Sequence, residues 1–158
     1  MRRRVGHCNP TDGERELKLL RMLQEDHSQI RGMIEEARAV IDRPGQTGPQ
    51  AITELRWRFD RAITRHIFAL TTEVARWVQR VQPDAEEAVA TLIDAARAIQ
   101  FAYETHKERY QELTIGGAWD DYAQSANGLM VAIERLLTEE QAQLFPKMGR
   151  EELRCDEQ

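Results

Sequence analysis

Two predicted helices each carry half of a metal-binding pair. His66 is followed four residues later by Leu70, and Glu140 is preceded four residues earlier by Leu136. A histidine and a carboxylate at this spacing lie on one face of a helix, where both can bind a single metal ion. Each helix therefore keeps one ligand type and has a leucine in place of the other. The pattern indicates either a reduced metal site or a core that keeps only the arrangement of one.

Four ionisable side chains interrupt the apolar faces of the predicted helices. They are His27, His66, His106 and Glu140, and each falls at a position that the apolar spacing directs inward. A buried histidine or glutamate is costly unless it has a hydrogen-bond partner or binds a metal ion. A lone inward histidine is usually a satisfied core residue, whereas four such side chains on four helices favour a shared site. Both interpretations stay open from the sequence.

Proline and glycine divide the 158-residue chain into four long segments. The segments are roughly 12–42, 50–82, 84–115 and 118–150. Asp84 and Glu87 have the spacing of a capping box, which marks the start of the third helix. No segment shows the alternation or the clustered β-branched residues of a strand. The sequence therefore predicts four helices and no sheet.

Each segment carries apolar residues at intervals of three and four, the spacing of a helix with one face in a core. In the second segment the inward positions are Ile52, Leu55, Phe59, Ile63, His66, Leu70, either Glu73 or Val74, Trp77 and Val81. Most of the aromatic residues in the predicted helices are also expected near the core; the set is Trp57, Phe59, Phe68, Trp77, Phe101, Tyr103, Tyr110 and Trp119. We predict an all-α protein with the fold of an antiparallel up-down-up-down four-helix bundle. It forms a single domain over 1–158, with tails at 1–11 and 151–158.

Composition and charge argue against several classes of protein. The net charge of −5 is not that of a general nucleic-acid-binding protein. No apolar run approaches the ~18 residues of a membrane span, and no apolar signal segment is visible near the start. We therefore expect a cytoplasmic protein with no nucleic-acid or membrane partner. Cys8 and Cys155 are expected to be free thiols, with a redox-switched disulfide as the alternative.

Three stretches of the chain resemble the hemerythrin-like family of His/His/Glu cation-binding domains. They are Asp26-His27-x-x-Ile30-Arg31 in the first helix, His66 in the second, and Glu140-x-x-x-Leu144-Phe145-Pro146 in the fourth. The resemblance extends over about 17–148. The family is a four-helix bundle with a non-haem di-iron centre, and its members bind or sense dioxygen, nitric oxide or peroxide, or handle iron. The resemblance implies that His27, His66 and Glu140 are metal ligands.

The chain departs from the family pattern at two ligand positions. Leu70 stands where the resemblance places a bridging carboxylate, and Leu136 stands where it places a histidine. A di-iron centre needs about six protein ligands, so a full centre is not expected. Two histidines and one carboxylate still suffice for one Fe(II) or Zn(II) ion with open positions. The alternative is a metal-free core in which His27, His66 and Glu140 hydrogen-bond to one another or to water.

Glu73 and His106 are reserve ligands. Glu73 lies two turns beyond His66, and counting from the turns places His106 roughly 9–15 Å from the level of the site. Tyr103 and Tyr110 flank His106 by one turn on each side, which predicts a hydrogen-bonded cluster, with a water-filled or ligand-holding cavity as the alternative. Non-covalent haem between opposed histidines is a third use of these residues, although nothing in the sequence marks a porphyrin slot.

We therefore expect a non-haem, iron-binding protein that senses or handles oxygen, nitric oxide or iron through a reduced or mononuclear site. A metal-free scaffold or partner-binding module is the alternative. Binding or sensing is expected rather than catalysis, because the chain has no nucleophile elbow, P-loop or dinucleotide motif. The expected partners are a metal ion or a small gas molecule, and a protein partner stays open.

Overall fold

The computed structural model describes residues 10–111 and 119–149, and it is helical through most of both ranges. The elements are α1 Pro10–Asp42, α2 Pro49–Phe68, a π-helical segment Ala69–Val74, α3 Ala75–Val81, a 3-10 turn Pro83–Ala85, α4 Glu86–Arg109, α5 Trp119–Gln143 and α6 Phe145–Met148. Because α2, the π-helical segment and α3 follow one another without a break, these ranges hold four long helices and no strand, as predicted. The expectations about Cys8, Cys155, the break at 116–117 and the tail at 151–158 lie outside the described residues.

The turn between α1 and α2 follows from its glycines and its proline. Gly45 has a φ of +89°, a conformation that side chains rarely adopt, and the N–H of Gln46 donates to the carbonyl of Arg43 at 3.2 Å. Gly48 is extended, and Pro49 occupies the first position of α2. Proline suits that position because its φ is already helical and it lacks an N–H that would be left unbonded.

Three predicted boundaries differ from the structure. α1 begins at Pro10, inside the segment predicted as a tail. The predicted capping box at Asp84 is wrong, because Asp84 lies within the 3-10 turn and α4 starts after Ala85 with no side-chain cap. α4 also ends at Arg109, about one and a half turns before the predicted end of the third segment.

A π-helical segment interrupts the second long helix directly after the turn that carries His66. The hydroxyl groups of Thr71 and Thr72 donate to backbone carbonyl oxygens four residues earlier, at 2.8 and 2.6 Å. Such bonds compete with the helical ladder. A π turn holds an extra residue, so it shifts the inward face by about one position. Val74 is therefore buried and Glu73 exposed, which decides between the two residues that the sequence left open.

One cluster of apolar side chains fills the space between the long helices. Its most deeply buried members come from every long helix and include Leu23, Ile30, Ile34, Leu70, Val74, Leu92, Ile133, Leu137 and Leu144. All of these positions except Leu137 are predicted to face inward, so the predicted inward stripes are confirmed. Among the aromatic residues, Trp57, Phe68 and Phe101 are exceptions to the expected position near the core, because they are exposed by 58, 62 and 76 %.

Each long helix packs against two neighbours. α1 contacts α2 and α5, and α4 contacts α5 and the combined α2–α3 helix. Ion pairs border these contacts: Glu36–Arg58 at 2.5 Å, Arg38–Glu134 at 2.6 Å, Asp60–Lys107 at 2.7 Å and Arg109–Asp121 at 2.8 Å. Exposed pairs of this kind add little stability, so the apolar core fixes the packing. Within the described ranges, no helix combines the length and the apolar character needed to cross a membrane.

Candidate metal centre

Three helices bring the three principal candidate ligands together. His27 lies in α1, His66 in the last turn of α2, and Glu140 near the end of α5. Each residue offers one ligand atom, and these atoms lie within 4.8 Å of one another. The three residues are exposed by 5, 1 and 0 %, respectively. The cluster therefore lies in the core of the bundle rather than on its surface.

The two histidines direct the same ring nitrogen at the same carboxylate. Nε2 of His27 lies 2.8 Å from Oε2 of Glu140, and Nε2 of His66 lies 2.9 Å from that oxygen and 3.2 Å from Oε1. The imidazole rings are 5.2 Å apart between centroids, with an interplanar angle of 68°. Two imidazole nitrogens and a carboxylate that meet at one point are suited both to a metal ion and to a hydrogen-bonded cluster.

A second carboxylate stands at the other nitrogen of the His66 ring. Oδ2 of Asp26 lies 3.5 Å from Nδ1 of His66, and Asp26 also accepts a hydrogen bond from Arg65. Asp26 is only 1 % exposed. A carboxylate in this place orients the ring and favours a proton on Nδ1, which leaves Nε2 for the site. Among the described residues, Nδ1 of His66 and Oδ2 of Asp26 form no hydrogen bond, so their contact is an ion pair; Nδ1 of His27 has no hydrogen-bond partner either.

In this cluster the charged forms of His66, Glu140 and Asp26 stabilise one another, which is visible in the direction of their pKa shifts. Burial alone would lower the pKa of His66, but the adjacent carboxylates of Asp26 and Glu140 raise it to about 9. Burial would likewise raise the pKa of Glu140, and the hydrogen bonds from His27 and His66 hold it below its usual value instead. The pKa of Asp26 is lowered for the same kind of reason, by His66 and Arg65 against the effect of burial. At neutral pH a protonated His66 therefore lies between two carboxylates.

The connection from α5 to α6 closes one side of the cluster. The N–H of Leu144 donates to the carbonyl of Glu140 at 2.8 Å, and α6 begins at the next residue, with Pro146 in its first turn. Phe145 thereby packs on His27, with ring centroids 4.8 Å apart. This packing gives a structural reason for the sequence Leu144-Phe145-Pro146 after the glutamate.

The structure does not bring the two reserve ligands to the cluster. Glu73 is exposed and lines a surface groove beside α1 and α3, because the π-helical segment turns it outward. His106 lies in a different part of the core, where its Nδ1 is 2.8 Å from Oγ of Ser125 and its ring contacts Tyr110 and Tyr122. The expected separation of His106 from the cluster therefore agrees with the structure.

The role of Asp26 was missed from the sequence. The residue was noted only as part of a motif with His27, and no function was assigned to it. A signal was available, because Leu19, Leu23, Asp26 and Ile30 follow one another at intervals of three and four, which predicts an inward carboxylate. A buried aspartate in such a stripe needs a partner on another helix.

The donor set of the cluster can hold a small divalent transition metal ion. Two imidazoles and one carboxylate occur at zinc sites and at open non-haem Fe(II) sites. Leu70 and Leu136 are buried one helical turn from His66 and Glu140, so both positions that would complete a two-metal set are apolar. In comparisons with known proteins, no family model, no curated protein and no solved structure matches this chain.

Proposed function

We propose that this chain is a hemerythrin-like bundle that binds one divalent transition metal ion through His27, His66 and Glu140. The convergence of two buried Nε2 atoms on one carboxylate oxygen carries the proposal. Ligand atoms that share a metal ion at about 2.1 Å are about 3.4 Å apart in tetrahedral geometry. The observed separations of 2.8 and 2.9 Å between nitrogen and oxygen lie close to that value, and all three ligand atoms lie within 4.8 Å of one another.

We infer that the bundle is antiparallel, with an up-down-up-down order. The side-chain pairs between α1 and α5 support this order, because residue numbers rise along one helix as they fall along the other: His27–Glu140, Arg31–Thr138 and Arg38–Glu134. The pairs between α1 and α2 and between α4 and α5 follow the same rule: Asp26–Arg65, Glu36–Arg58, His106–Ser125 and Arg109–Asp121. Neighbouring helices with this pattern run in opposite directions.

We propose that the site senses or handles iron, dioxygen or nitric oxide rather than catalysing a reaction. An Fe(II) ion with three protein ligands has open positions at which a small neutral ligand can bind. Leu70 and Leu136 keep the neighbouring positions apolar, which favours such a ligand over a charged one. Asp26 would hold the ring of His66 in place throughout, since it contacts the nitrogen that faces away from the ligand position.

A metal-free cluster is the second candidate, and one observation favours it. Glu140 already interacts with both histidines, and the raised pKa of His66 means that the cluster binds a proton firmly. In this case the chain would be a scaffold or a partner-binding module whose core polar groups neutralise one another. A metal ion must displace the proton from Nε2 of His66, so the two candidates make opposite claims about that atom.

Titration of chelator-treated protein with Co(II) separates the two candidates. Co(II) reports its own coordination, because visible absorption bands appear when it binds at a site with nitrogen and oxygen ligands. We expect a spectrum that saturates at about one ion per chain. Glu140→Gln should abolish it, and Glu134→Gln, which alters an ion pair in the same helix, should not. A spectrum that persists in Glu140→Gln, or no saturable spectrum in the unmodified protein, would favour the metal-free candidate.

A further inference from the structure

A cavity of about 70 Å³ lies between α1, α2, α4 and α5, apart from the candidate metal centre. Most of its lining is apolar and includes Leu55, Phe59, Leu129 and Met130. Ala37, which also lines it, is ten residues beyond His27 in α1, or about 15 Å along the helix. An apolar cavity of roughly 150 Å³ can bind benzene, so this one has room for about three or four carbon atoms.

Two tyrosines line the cavity with hydroxyl groups that form no hydrogen bond to a described residue. Tyr103 and Tyr122 are exposed by only 8 and 9 %, and in the described part of the chain neither hydroxyl forms a hydrogen bond. Burial raises the pKa of both groups, so each keeps its proton at neutral pH and can donate it. Both hydroxyl groups are therefore free to donate a hydrogen bond to a molecule in the cavity.

Arg56 adds a positive charge to the same cavity. Its half-buried side chain lines the cavity, and Nη2 donates to the carbonyl oxygen of Tyr110 at 2.9 Å. Among the described residues, no ion pair joins Arg56 to a carboxylate. Burial and the charge of Asp60 raise the pKa of Tyr103, and the charge of Arg56 lowers it; at Tyr122 the charge of Arg56 likewise opposes the effect of burial. Arg56 therefore lacks the acidic partner that a half-buried guanidinium usually has.

The other titratable groups at the cavity do not supply that partner. Lys107 is 2.7 Å from Asp60 and 2.9 Å from Glu104, so these three groups are already paired. Burial, together with the charges of Arg56 and a neighbouring arginine, lowers the pKa of His106 to about 4, which keeps it neutral. Arg56 is therefore the cation at the cavity that has no carboxylate partner among the described residues.

We propose that this cavity binds a small carboxylic acid as its anion, with the carboxylate at Arg56, Tyr103 and Tyr122 and a hydrocarbon body of about three carbon atoms in the apolar part. A guanidinium and two hydroxyl donors match a carboxylate, and charge-assisted hydrogen bonds of this kind are strong. A purely apolar ligand would form no hydrogen bond with any of these three groups. Binding here requires no metal ion at His27, His66 and Glu140, so the two sites can be tested separately.

Butyrate is a probe of suitable size, and butyramide has nearly the same shape without the charge. NMR titration of labelled protein should show saturable shifts for butyrate that are confined to Ala126, Leu129, Met130 and their neighbours. We expect butyramide to bind at least about tenfold more weakly, since it cannot make a charge-assisted bond to Arg56. Arg56→Gln should weaken butyrate binding to a similar extent. Arg97→Gln, which removes an exposed cation elsewhere in α4, should leave it unchanged.

Arg56→Gln could weaken binding through local unfolding, and a second variant separates that effect from the loss of the charge. Ala126→Leu places a larger side chain in the cavity without changing any of the three donors, and it should abolish the butyrate shifts. Thermal melts of both variants would show that they are folded. Equal affinity for butyrate and butyramide, unchanged binding in Arg56→Gln, or shifts that survive in Ala126→Leu would each overturn the proposal.

Discussion

Nε2 of His66 lies 2.9 Å from Oε2 of Glu140, although 74 positions separate the two residues in the chain. Both side chains are almost fully buried, and His27 shares the same carboxylate. Apolar side chains of similar volume would often be at least as stable in such a place. The retention of two imidazoles and a carboxylate in the core is therefore the feature that our proposals for the function have to explain.

Asp26 offers a test of the proposed metal site that leaves its ligands intact. Asp26→Asn removes the carboxylate at Nδ1 of His66, so the ring is held less firmly and is a poorer ligand. We expect Zn(II) affinity to fall about 10- to 100-fold, the usual effect of such a change. Competition with a chromogenic chelator measures the affinity, best at alkaline pH, where the proton competes least for His66.

The matched control is Asp94→Asn, which changes an exposed aspartate in α4. It should leave the Zn(II) affinity unchanged. If Asp26→Asn also binds Zn(II) as tightly as the unmodified protein, Asp26 does not position His66, and its role is limited to the ion pair with Arg65.

The stability of the metal-free protein should fall on the alkaline side. The pKa of His66 is about 9 in the folded protein, and its ordinary value is 6.5. The stabilisation is therefore complete below pH 6.5 and is lost as the pH rises through 9, a loss of about 3 kcal/mol. Urea unfolding between pH 6 and 10 measures it. In His66→Gln the free energy of unfolding should depend much less on pH in this range. An equally steep decrease in that variant would show that His66 is not the group responsible.

His106 should act in the opposite direction on the acid side. Burial, with help from the charges of Arg56 and Arg109, lowers its pKa to about 4. Its contribution to stability is then complete above pH 6.5 and is lost as the pH falls through 4, because the unfolded chain binds the proton first. Asp26 and Glu140 also lose stabilising charge at low pH. We therefore expect the free energy of unfolding to decrease less steeply at acid pH in His106→Gln than in the unmodified protein, but still to decrease.

Restoring the two family ligands should raise the metal content. Leu70→Glu with Leu136→His supplies the carboxylate and the histidine that the family pattern has at these buried positions. We expect the double variant, purified with iron, to hold more metal per chain than the unmodified protein. Leu70→Glu with Leu129→His is the control, because residue 129 lies in the same helix about three turns, or about 16 Å, from Glu140. A double variant with no more metal than the unmodified protein would contradict the alignment with the family.

The four long helices and their inward faces could be predicted because each face repeats over many turns. The stripe of Ile30 and Ile34 in α1 and that of Leu92, Ala96 and Ile99 in α4 are examples. The π-helical segment could not be predicted, since two threonine hydroxyl bonds in one turn leave no periodic signal. The exposure of Trp57 and Phe68 was missed because aromatic residues beside a stripe are assigned to the core by their chemistry alone.

The candidate site was predictable to the extent that it rests on single inward positions. His27, His66 and Glu140 each break an apolar stripe, and this property is visible in the sequence. The contact of Asp26 with His66 depends on the rotation of two helices about their axes, which spacing does not fix. Glu73 failed as a reserve ligand for the same kind of reason, because the π-helical segment changed the rotation of everything after it.

Elemental analysis tests the central claim most directly. The protein is expressed with supplements of iron and zinc and purified without chelator or affinity tag, and its metal content is measured beside that of His66→Ala and His106→Ala. We expect about one metal ion per chain in the unmodified protein and in His106→Ala, and none in His66→Ala. A chain with no metal, or metal that remains in His66→Ala, would contradict the proposed site.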